Sequence, residues 1–138
     1  MVEATDHSAS VDAWIALLAK DAAPPRLLEF FEQGFAAMWR RALATLGDVT
    51  LMAILDRVLY NAAERFPLLE PLEMDGGGLR TENLRARIDG LNRDQLQAGL
   101  RFILVEFLTV LGNLTAEVLS PALHSALAKV AVPGKAQS

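Results

Sequence analysis

The sequence predicts an all-α, single-domain bundle of five or six helices with a long central fifth helix. Three observations carry this expectation. Apolar residues recur at helical spacing along nearly the whole chain, and no run shows sustained two-residue alternation. Leu and Ala, both strong helix formers, supply 24 and 22 of the 138 residues. Proline, glycine and capping residues then cut the pattern into segments of helix length. The length suits one domain, expected over residues 10–131 between polar tails at 1–9 and 132–138. With 52% hydrophobic residues the chain is too apolar to remain unfolded.

The first helix is expected over residues 11–21, with Ser10 as N-cap, Asp12 in its first turn and Val11, Trp14, Ile15 and Leu18 as its stripe. Pro24 and Pro25 open the second, because a proline in the first turn gives up an amide that has no helical partner anyway. Its stripe runs Leu27, Leu28, Phe31, Phe35, Met38, Ala42 and Leu46, and Gly47 ends it. Asp48 is expected to cap a third helix that Pro67 stops at about Phe66. Residues 68–79, with Gly76, Gly77 and Gly78 in a row, read as a loop. A short fourth helix is expected from Thr81 to Gly90. Next comes the clearest local signal. Asn92 and Gln95 stand at the two positions of a capping box, flanked by Leu91 and Leu96 as a hydrophobic staple.

The fifth helix starts at Arg93 and carries two apolar seams. One holds Leu96, Leu100, Ile103, Phe107, Val110 and Leu114, the other Leu104, Leu108, Leu111 and Val118. Two seams exceed the stripe of a surface helix. Either the helix sits at the centre of the bundle, or its second seam meets another subunit. Ser120-Pro121 ends or kinks it, and a sixth helix follows to about Val130.

Composition excludes several kinds of function. With no cysteine there are no disulfides, zinc–thiolate sites, iron–sulfur clusters or cysteine nucleophile. A net charge of −4 gives no electrostatic reason to expect nucleic acid as a partner. The N-terminal residues carry Glu3 and Asp6 and lack both parts of a signal peptide, so a cytoplasmic protein is expected. Between Phe102 and Ala128 the only formal charges are Glu106 and Glu117, which raises the question of a membrane span. A buried central helix is the better reading, since an acid near the middle of a span is costly.

No catalytic, cofactor or metal constellation emerges. Asp75-Gly76-Gly77-Gly78 lacks the lysine and hydroxyl residue that a phosphate-binding loop needs, and no strand is expected before it. Glu106 and Glu117 have no Glu-x-x-His partner. No Gly-x-Ser-x-Gly elbow exists, and His124 is the one histidine expected within the folded body, His7 falling in the polar tail.

Two functions from different classes follow. In the first, the chain is a non-enzymatic interaction or scaffolding module of bacterial regulatory type, acting as a homodimer or as a subunit with another protein. Its interface would be Leu104, Leu108, Leu111, Gly112, Ala116, Ser120 and His124; the small residues at four-residue spacing would let two helices approach closely. In the second, the domain senses an apolar ligand held between helices, lined by Trp14, Phe31, Phe35, Trp39 and Phe107.

Overall fold

Periodicity becomes helix almost everywhere in the computed structural model, which describes residues 7–18, 22–75, 78–115 and 120–128. Six helices form among these residues: α1 (His7–Leu18), α2 (Pro24–Leu46), α3 (Asp48–Arg65), α4 (Glu82–Arg85), α5 (Arg93–Leu114) and α6 (Ser120–Ala128). Single 3₁₀ turns lie at Pro67–Leu69 and Ile88–Gly90. A two-stranded antiparallel hairpin, β1 (Glu73–Asp75) and β2 (Gly78–Arg80), stands between α3 and α4. The fold is all-α with a long fifth helix, as the sequence predicts.

α2 and α5 organise the core. Every apolar position expected on the α2 stripe from Leu27 to Ala42 is buried, and Phe30 and Trp39 join them. α5 buries much of both its seams, with Ile103, Leu104, Phe107, Leu108 and Leu111 at 0–1% exposure. It packs against α1, α2, α3 and α6, so Leu104, Leu108 and Leu111 of the second seam are covered by this chain itself, while Val118 lies outside the described residues. Burying a side chain the size of Phe107 contributes roughly 1.5–3 kcal/mol. Packed rings knit the two helices together: Phe35 lies 4.8 Å from Phe107 and 6.1 Å from Trp39, and Trp39 lies 6.3 Å from Phe107.

Close helix approach occurs at Gly34 on α2. A Cβ there would stand 2.8 Å from Trp14 Cζ2 of α1 and 2.9 Å from Leu127 Cδ1 of α6. Any side chain there would force Trp14 or Leu127 to shift, so glycine suits the point where these three helices meet.

Several local expectations need correction. α1 begins at His7, inside the segment read as a polar tail, so Ser10 lies within the helix and does not cap it. His7 is 7% exposed because it packs against α6. Asp48 sits in the first turn of α3, while Gly47, at φ +83°, takes the cap position and donates its amide to Leu43 O. The expected fourth helix is broken into α4 and a 3₁₀ turn. The stretch expected as a loop folds in part into the hairpin, with Glu73 opposite Arg80, Met74 opposite Leu79 and Asp75 opposite Gly78. At the expected capping box, Asn92 Oδ1 accepts from the Gln95 amide at 3.0 Å and so caps α5. α5 ends at Leu114 and α6 starts at Ser120, and residues 116–119 lie outside the described residues.

Candidate functional site

One face of α2 carries Glu32, Phe35, Ala36, Trp39 and Arg40, at positions i, i+3, i+4, i+7 and i+8. β2 and the residue after it bring Leu79 and Thr81 over this face. These seven residues line an open cleft of about 170 Å³. Its apolar walls are Phe35 and Trp39, which are only 2% and 5% exposed, together with Ala36 and Leu79. Its polar lining residues are Glu32, Thr81 and Arg40.

The hairpin is fixed over α2 from both ends. Gly78 has φ +113°, and a Cβ on it would lie 3.3 Å from Cε2 and Nε1 of Trp39. Glycine therefore serves twice, supplying a backbone conformation that L residues avoid and letting the strand lie against the indole. At the far end, Glu32 accepts hydrogen bonds from Thr81 Oγ1 and from Arg85. Arg80 links the two strands to the start of α4, 3.3 Å from Asp75 and 2.8 Å from Glu82. The Glu82 carboxyl is held below its ordinary range by its own backbone amide and then by Arg80.

Charge is distributed unevenly around the opening. Glu32 is matched by Arg85, and Arg80 by Asp75 and Glu82. Arg40 is exposed and makes no ion pair or hydrogen bond with any described residue.

Of the ligand-lining residues expected from sequence, Phe35 and Trp39 line this cleft and Phe107 packs beside them. Phe31 adjoins Phe35 at 5.8 Å. Phe31 and Trp14 line a separate 20 Å³ cavity with Gln97 and Arg101, between α1, α2 and α5. Sequence reasoning misses Glu32, Ala36, Arg40, Leu79 and Thr81. The α2 members share a helical face that the sequence displays, but nothing local shows that a hairpin covers it.

The expected interface is distributed differently. Leu104, Leu108, Leu111 and Gly112 are buried within their own chain and offer nothing to a partner while this fold persists. Ala116, the side chain of Ser120, and Glu117 lie outside the described residues. His124 is half-buried and meets His7 with ring centroids 5.1 Å apart. Glu106 borders a shallow hollow with Asn61, Glu64, Arg65 and Phe102.

Among the described residues no group of three or more His, Asp or Glu side chains is arranged to hold a metal ion. α5 is long and apolar enough to cross a bilayer, and half of its most apolar window is buried in the fold. No protein family, no curated protein and no solved structure matches the chain.

Proposed function

We propose that the protein is a non-enzymatic regulatory domain that binds a small molecule in the cleft between α2 and the hairpin. The supporting observation is convergence. Buried aromatic walls and three polar groups from two distant chain segments meet around one concavity, the usual make-up of a small-molecule site. Apolar walls supply affinity, and Arg40 at the rim orients the ligand. Occupancy would be read through the hairpin, whose backbone lies against Trp39 and whose end is tied to Glu32. A cytoplasmic location belongs to the same reading.

The test is ligand-observed NMR of a fragment library on the purified protein and on Ala36→Phe, which fills the cleft from a half-buried helix position. Binding to the native protein that disappears in the filled variant supports the site. Binding that persists in Ala36→Phe, or no binding to the native protein, overturns it.

A second reading, self-association or entry into a larger assembly, draws on a different surface from the one expected. The outward face of α5 carries half-buried Phe102, Val105 and Val110 and ends at Leu114, which is 59% exposed. Native mass spectrometry separates the two readings, because a dimer doubles the 15.0 kDa chain mass and a ligand adds a small increment.

A further inference from the structure

We propose that the ligand of this cleft is a small monocarboxylate with an apolar body such as a single ring, its carboxylate held by Arg40. The inference rests on the reading of the cleft as a binding site, and adds the chemical class of what enters it.

Size sets the first limit. The cleft, about 170 Å³ and open on one side, has room for at least a six-membered ring. The walls set the second limit. The lining is mostly apolar, from Ala36 and the accessible edges of Phe35 and Trp39 on α2 and from Leu79 on β2, so the inserted part of the ligand is apolar. A flat ring meets aromatic side chains in offset or edge-on contact.

Charge sets the third limit. A free acid at the rim would select a cation, but Glu32 already receives the Arg85 guanidinium and the Thr81 hydroxyl. The proton of Thr81 is committed to Glu32 and is not offered to a ligand. Arg80 is likewise engaged by Asp75 and Glu82. The charge that remains is Arg40, whose planar fork of N–H donors matches a carboxylate in two-point contact. Ring against the walls and anion at the rim places both ends of such a molecule.

The test uses three planar probes of nearly one shape: benzoate, benzamide and benzamidine, with charges of −1, 0 and +1. Each is titrated while the indole N–H signals of the two tryptophans are followed by NMR. Benzoate is expected to bind about tenfold more tightly than the other two, the scale of one charge-assisted contact. Arg40→Gln should bring benzoate down to the level of benzamide. Arg41→Gln, an exposed neighbour that does not line the cleft, should leave it unchanged. Equal binding of benzamide or benzamidine, or benzoate binding that survives Arg40→Gln, overturns the carboxylate class and leaves the cleft as a binding site. Failure of all three probes in the native protein overturns this proposal, while the fragment screen against Ala36→Phe still judges the site separately.

Discussion

His7 and His124, the two histidines of the chain, face each other across 117 positions of sequence, with Nδ1 of His7 2.9 Å from Nε2 of His124. One ring must donate and the other accept, so the contact fixes complementary tautomers on α1 and α6. Replacing His124 by Ala removes this link and leaves buried His7 without that partner. The expected result is a loss of about 1 kcal/mol, felt first as faster amide hydrogen exchange in α1. Unchanged α1 protection in His124→Ala would show that the pair does not hold α1 in place.

Asp12 and Arg101 tie α1 to α5 through two contacts, Nε to Oδ1 at 2.6 Å and Nη2 to Oδ2 at 3.1 Å. The hydrogen bond from Arg101, reinforced by its charge, holds the Asp12 carboxyl below its usual range. A depressed carboxyl stabilises the fold above its unfolded-state value of about 4, and that stability is lost as pH falls through the lower folded value. Because the pair is largely exposed, solvent screening limits it to under ~1 kcal/mol. Urea midpoints measured from pH 7 to pH 3 should therefore fall less steeply in Asp12→Asn than in the native protein.

Two buried polar atoms, Trp14 Nε1 and Gln97 Oε1, have no hydrogen-bond partner among the described residues, and both side chains line the 20 Å³ cavity. An unsatisfied acceptor costs about 1–3 kcal/mol. Gln97→Met keeps the chain length and removes that acceptor, so its melting temperature should equal or exceed the native value. A clear drop in melting temperature would mean that Oε1 is hydrogen-bonded in solution.

Gly34→Ala forces a methyl group into Trp14 and Leu127. Overpacking of this kind costs about 1–3 kcal/mol. Denaturant unfolding should show that loss, and the spectrum of Trp14 should shift as α1 moves away. Native stability in the Gly34→Ala protein would mean that the three helices are not in close contact at this point.

Much of the fold is legible because it is local. The α2 stripe from Leu27 to Ala42 needs only 3.6-residue periodicity, and the caps at Gly47 and Asn92 need only their own neighbours. The hairpin escapes that reading, since three residues per strand are too few to show alternation and its placement is decided by Gly78 lying against Trp39. His7 escapes for a related reason: its burial depends on a helix more than a hundred residues away in sequence. The cleft is half visible. Phe35 and Trp39 stand out as aromatics, but Glu32 and Arg40 gain meaning only when Leu79 and Thr81 close over them.

The seating of α6 on α2 also orders events in time. The groove at Gly34 is complete only when Leu127 arrives, so part of the apolar stripe of the second helix waits uncovered while some ninety further residues are made. Closing so long a loop is slow compared with forming any one helix. During synthesis that part of the second helix therefore stays open until α6 docks.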